Sequence, residues 1–111
     1  MAASRPPTPP PPSQLVSEAF SREYGCTQDE WLRWMPEAVH GHAWTQPHAG
    51  SLQVSIGQGF LVLHWQVLAP RVIALIRLPR MAVSFRFTGV NDGERAAFMK
   101  RFDLHLQRGG G

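Results

Sequence analysis

His40, His42 and His48 fall within nine residues, in the stretch His40-Gly41-His42-Ala43-Trp44-Thr45-Gln46-Pro47-His48-Ala49-Gly50. Imidazole is the commonest metal ligand near neutral pH, so these three are the candidate metal ligands. Their spacing matches no closed zinc pattern. No carboxylate or second cysteine stands beside them to complete a site. The glycine and proline content reads as a loop, and a solvated loop is the plainer expectation. A fourth histidine, His64, lies inside an apolar run. It is expected to be a satisfied interior group, or a general base if a pocket opens beside it.

Arginine supplies the other concentration of chemistry. Arg71, Arg77, Arg80 and Arg86 punctuate residues 71–86, with Trp65 upstream. Arginines beside an aromatic suit phosphate contact and base stacking, the chemistry of a single-strand nucleic-acid surface. The formal net charge is only +3, below what dedicated nucleic-acid domains concentrate, and no RNP-like motif is present. The sequence holds no G-x-S-x-G, P-loop, dinucleotide fingerprint or H-E-x-x-H. Four of its eight acids sit at helix starts: Asp29 and Glu30, then Asp92 and Glu94. No catalytic residue or cofactor is implied, and the balance leans away from an enzyme.

The elements that must position these groups centre on Leu52–Phe87. Leu52, Val54 and Ile56 alternate with Gln53 and Ser55, the period of a half-buried strand. Gly57-Gln58-Gly59, Ala69-Pro70-Arg71 and Pro79-Arg80 break the runs that follow. The runs 60–68, 72–78 and 81–88 complete a four-stranded antiparallel meander. A three-residue loop at 57–59 sets Ile56 opposite Phe60. One face then collects Leu52, Val54, Ile56, Phe60, Val62, His64, Leu68, Val72, Ala74, Ile76, Val83, Phe85 and Phe87 as the core. The other face is mixed, with Leu61, Leu63, Trp65, Val67, Ile73 and Leu75 at its centre and Arg77 and Arg86 at its rim. An apolar centre within a polar rim must be covered: by the N-terminal helices, or, since it is also interface anatomy, by a second copy or a ligand.

Helices flank this block. Ser13 can cap a helix that carries Val16, Phe20 and Tyr24 at i, i+4 and i+8 and stops at Gly25. Thr27 and Glu30 fit a capping box, followed by Trp31, Leu32, Trp34 and Met35, with Pro36 ending or kinking the helix, or starting a further turn through Val39 to Gly41. Asn91 and Glu94 repeat the capping interval ahead of Ala97, Phe98, Met99 and Phe102. Phe102, Leu104 and Leu106 alternate, which allows a short final strand. The fold class is therefore α+β: N-terminal helices, a four-stranded antiparallel meander and a C-terminal helix on the sheet. Residues 13–108 form one domain, residues 1–12 a proline-rich leader of polyproline II or disordered character, and residues 109–111 a flexible glycine tail.

The ending Arg108-Gly109-Gly110-Gly111 resembles the tails of ubiquitin-like and sulfur-carrier proteins. That resemblance covers only residues 104–111, and it implies a carboxylate presented to an activating enzyme. The β-grasp fold of those proteins has a helix between two hairpins, whereas four strands precede the helix here. The third glycine also departs from their usual ending.

Cys26 is the only cysteine, which excludes an internal disulfide and fits a reducing compartment. No h-region and no run of membrane-spanning length is present, so the expected location is cytoplasmic. The function expected is a small non-enzymatic binding or assembly module, self-associating through Leu61, Leu63, Trp65, Ile73, Leu75, Arg77 and Arg86. The alternatives are a histidine-loop metal protein or small enzyme, and a weak single-stranded nucleic-acid binder.

Overall fold

A computed structural model of the chain describes residues 16–108. The proline-rich leader, the Ser13 cap and the glycine tail lie outside the described residues. The element order is β1 (Ala19–Tyr24), α1 (Gln28–Ala38), β2 (Trp44–Thr45), β3 (Ser51–Ile56), β4 (Gly59–Ile73), β5 (Ile76–Thr88) and α2 (Asp92–Arg108). The strands form one antiparallel sheet in the order β1-β5-β4-β3-β2. The α+β class and the antiparallel sheet match the sequence expectation. The sheet has five strands, and only one helix precedes its centre.

The first expected helix is a strand. Val16, Phe20 and Tyr24 at a four-residue interval satisfy a helix, but four is also twice the strand period. In β1, Phe20, Arg22 and Tyr24 share the inner face. Phe20 stacks on Phe85 of β5 at 4.7 Å between ring centroids.

The β3–β4 turn corrects the register. The hairpin closes with two residues, Gly57 and Gln58, because Ile56 pairs with Gly59 and Leu52 with Leu63. Gly57 has φ +56°, the positive value required at the first central position of a type II′ turn. One residue fewer in the loop turns every β4 side chain over. Leu61, Leu63 and Trp65 enter the core, while Phe60, Val62 and His64 move to the outer face. On β3 and β5 the expected core residues hold: Leu52, Val54, Ile56, Val83, Phe85 and Phe87 are buried.

Neither proline ends a strand. Ala69 and Pro70 lie in a bulge between Leu68 and Arg71, opposite Pro79. There each strand has a single neighbour, the edge-like setting that tolerates a missing N–H. The chain reverses later, at Ala74-Leu75, between the paired Ile73 and Ile76. The run expected as a third strand is thus the tip of one long hairpin.

Both helices cover the inner face. Thr27 caps α1 through a complete capping box with Glu30, and Pro36 is accommodated inside the last turn. Trp31 of α1 meets Trp65 of β4 at 5.9 Å and Phe102 of α2 at 6.2 Å, and Phe102 meets Phe85 edge-on at 5.6 Å. Asn91 and Glu94 exchange the same reciprocal cap at the start of α2. This helix continues to Arg108 rather than yielding to a final strand. Phe102 and Leu106 are buried one turn apart, and Leu104 between them is half exposed.

Candidate functional site

The seven residues expected to form one interaction surface are divided by the fold. Leu61, Leu63 and Trp65 are buried beneath α1 and α2. Arg86 is exposed on the outer face, where it pairs with Val62 in the β4–β5 ladder. Ile73, Leu75 and Arg77 stay together, and exposed, at the far end of the β4–β5 hairpin.

That hairpin end is an arm. β3 stops accompanying β4 at the Ser51–His64 pair, and β1 stops accompanying β5 at the Tyr24–Met81 pair. Beyond those points, apart from the Trp65 N–H bonded to the Gly50 carbonyl, the two strands pair only with each other among the described residues, so most backbone groups on their outer edges have no strand partner there. Val67, Val72, Ile73, Ile76 and Leu78 are each 43–60% exposed, and Leu75 at the tip is 100% exposed. The bulge shifts the facing of the distal residues. Arg71 and Leu78, then Ile73 and Ile76, share one side, while Val72 and Arg77 share the other. The arm is therefore apolar on both sides. Ala74 completes the tip with φ +54°, a left-handed conformation that strains a residue bearing a Cβ.

The base of the arm is firmer. Arg80 donates to both carboxylate oxygens of Glu23, from Nη2 at 2.7 Å and from Nε at 3.2 Å, and from Nη1 to the Ala69 carbonyl at 3.3 Å. The hydrogen bonds from Arg80 hold the Glu23 carboxyl below its ordinary pKa. A groove of about 350 Å³ opens beside this base, lined by Val67, Leu68, Pro70 and Pro79 and edged by Asp29 at the start of α1. Cys26 lies in the same wall. Burial, and next the charge of Glu30, push its thiol up to about 11.

The histidines separate. His40 and His42 line a second cavity, of about 340 Å³, with Glu94, Phe98 and Arg101 of α2. His48 lies elsewhere, with its backbone N–H donating to Ser51 Oγ at 3.2 Å. His64 is exposed on the outer face in a cross-strand row with Ser84 and Ser21. Among the described residues no group of three or more His, Cys, Asp or Glu could hold a metal ion. No helix among them is long and apolar enough to cross a membrane.

Two arginines that the sequence pattern did not single out are structural. Arg22 reaches from β1 to Asp103 of α2 and lies 5.3 Å from the Phe20 ring centroid. Burial works against its charge, but hydrogen bonds to Asp103 and Tyr24 outweigh it and raise its pKa. Buried Arg95 donates from Nε to the Val16 carbonyl at 2.8 Å and from Nη1 to the Val90 carbonyl at 2.5 Å, and it pairs with Asp92. These contacts fasten the chain ahead of β1 to the start of α2. Arg22 alternates with Phe20 and Tyr24 in sequence, and that was the one available signal for its inward direction.

Compared with known protein families, the chain matches none, and no curated protein sequence matches it.

Proposed function

We propose that this protein is a small non-enzymatic assembly module that self-associates through the β4–β5 arm. The carrying observation is the arm itself: six large apolar residues on a two-stranded ribbon that no third strand joins among the described residues. An isolated two-stranded hairpin is at best marginally stable in water, and a contiguous exposed apolar patch marks an interaction surface. The occupant we assign is a second copy of the chain. Its arm offers Leu75 and the cationic Arg77, which forms no ion pair among the described residues. The groove at the base offers an apolar floor edged by Asp29, and the Arg80 in its lining is already paired with Glu23. A two-fold dimer satisfies this contact twice, since what one protomer's tip finds on its partner the partner's tip finds in return.

The test is the solution mass by light scattering across a concentration series, with a charge swap. The expected result is a concentration-dependent dimer that Arg77→Asp weakens and the double variant Asp29→Arg/Arg77→Asp restores. A wild type that stays monomeric at the highest soluble concentration refutes the proposal. Binding to single-stranded nucleic acid that falls steeply with salt, and is lost with Arg71 and Arg77, would assign the arm to a different partner.

A further inference from the structure

The cavity between the His40–His42 loop and α2 is separate from the arm and carries an inference of its own. Its walls come from parts of the chain far apart in sequence, with Ala38 and Ile56 at the ends of α1 and β3. The loop after α1 supplies His40 and His42, the β3–β4 turn supplies Gly57, and α2 supplies Glu94, Phe98 and Arg101. Glu94 and Arg101 are seven residues apart, two turns on one face of the helix, so their Cα atoms lie roughly 10 Å apart. They do not meet: neither forms an ion pair among the described residues. The cavity thus has an anionic pole and a cationic pole, with Ile56, Ala97 and Phe98 as the apolar floor between them.

The anionic pole and the centre are held in place, and the cationic pole borders the loop. One Glu94 oxygen, Oε1, accepts from the Asn91 N–H at 3.2 Å, and a side chain at Gly57 would overlap the Glu94 carboxylate. Gly41, at φ +91°, brings the loop backbone close to the Arg101 guanidinium. His42 Nδ1 lies 3.0 Å from the Ser55 carbonyl oxygen, and its ring meets Phe98 edge-on at 5.3 Å. The carbonyl can only accept, so Nδ1 carries the proton and Nε2 is the ring nitrogen left for a ligand. A volume of about 340 Å³ is within the range of small-molecule sites.

We infer that this cavity binds a small zwitterion with an apolar side chain, of the amino-acid or dipeptide class. The ligand's ammonium pairs with Glu94, its carboxylate with Arg101, and its side chain rests on Phe98 and Ile56. A free anion would meet Glu94 as a like charge, and a free amine would meet Arg101 in the same way, so a molecule bearing both charges fits best.

The test is titration calorimetry on the full chain with four probes: L-phenylalanine, leucyl-leucine, 3-phenylpropionate and phenethylamine. The last two each lack one charge. The expected result is binding of phenylalanine or leucyl-leucine, with each single-charge probe about tenfold weaker or more. Arg101→Met should weaken phenylalanine and 3-phenylpropionate, and should leave phenethylamine no weaker, since it removes a like charge. Glu94→Gln keeps an oxygen for the Asn91 N–H; it should weaken phenylalanine and phenethylamine, and should leave 3-phenylpropionate no weaker, since it removes a like charge. No heat with either zwitterion at millimolar concentration overturns the inference. Zwitterion binding that neither variant alters overturns it as well, because the ligand would then sit elsewhere. Both variants are on the helix surface facing the cavity, and their far-ultraviolet spectra check that the fold is kept.

Discussion

Leu75→Asp is the sharpest perturbation of the arm, because Leu75 touches little in the monomer and is expected to be central in the dimer. It is fully exposed at the hairpin tip, so the substitution removes no burial from the folded monomer. Covering a leucine side chain completely is worth about 1.5–3 kcal/mol. A two-fold dimer covers two copies, so the variant forfeits about 3–6 kcal/mol of association free energy. That weakens the dimer roughly a hundredfold to ten-thousandfold. The desolvation of two aspartates acts in the same direction. The assay is light scattering over a dilution series, with urea unfolding of the same samples at a concentration where both proteins are monomeric. The expected outcome is a strong shift of the dimer midpoint with no more than about 0.5 kcal/mol change in monomer stability. An unchanged dimer midpoint refutes the reasoning, since the tip would then not be covered. A large loss of monomer stability refutes it too, since the tip would then be packed within its own chain.

Other perturbations test the fold and its titrating groups. Leu63→Arg places a charge in the core, so it should unfold the protein rather than split a dimer, as read from circular dichroism. Ala74→Gly relieves the positive φ at the tip and should raise the urea midpoint by an amount worth about 0.5–1 kcal/mol; a lower midpoint would contradict the strain. A side chain at Gly59 would overlap the backbone of Thr88 and Gly89, so Gly59→Ala should cost about 1–3 kcal/mol in thermal unfolding. The Cys26 thiol, pushed up to about 11, stays protonated in the fold at pH values where an unfolded thiol already ionises. Its contribution is complete below the unfolded pKa and is lost as pH rises toward about 11. Alkylation at pH 8 should therefore label Cys26 only in denaturant, and rapid labelling of the native protein would count against its burial. Glu30 has a lowered pKa because the Thr27 backbone N–H, and then the Thr27 hydroxyl, bind its carboxylate. Its contribution is present above the unfolded pKa and is lost as pH falls through the lower folded one. Glu30→Gln should flatten part of the acid limb of a stability–pH curve.

Local signals with a single physical solution were legible in the chain. Thr27 with Glu30, and Asn91 with Glu94, sit at the one interval that lets side chain and backbone cap each other, and both helices start there. The alternation on β3 and in the second half of β5 fixed their inner faces, because only one parity is apolar in each. The α+β class followed from these pieces. The sequence likewise marked Ile73, Leu75 and Arg77 as surface residues, although it placed them on a sheet face that does not exist.

What only the tertiary structure decided were the choices that local chemistry leaves degenerate. An interval of four fits a helix and a strand equally, so Phe20 and Tyr24 wait for Phe85 and Trp31 to choose. Gly57-Gln58-Gly59 can close as two residues or three. β4 is apolar on both parities near its start, so no pattern within the strand arbitrates. The aromatic surface of Trp31 and Phe102 takes the side bearing Leu61, Leu63 and Trp65, and leaves His64 outside. Pro70 and Pro79 break a central strand but are tolerated where a strand lacks a second neighbour, and whether a neighbour is present is set by where β1 and β3 end. The arm and the two-pole cavity both arise from such decisions. Each joins residues far apart in sequence, and its form depends on which elements stop short and which come together.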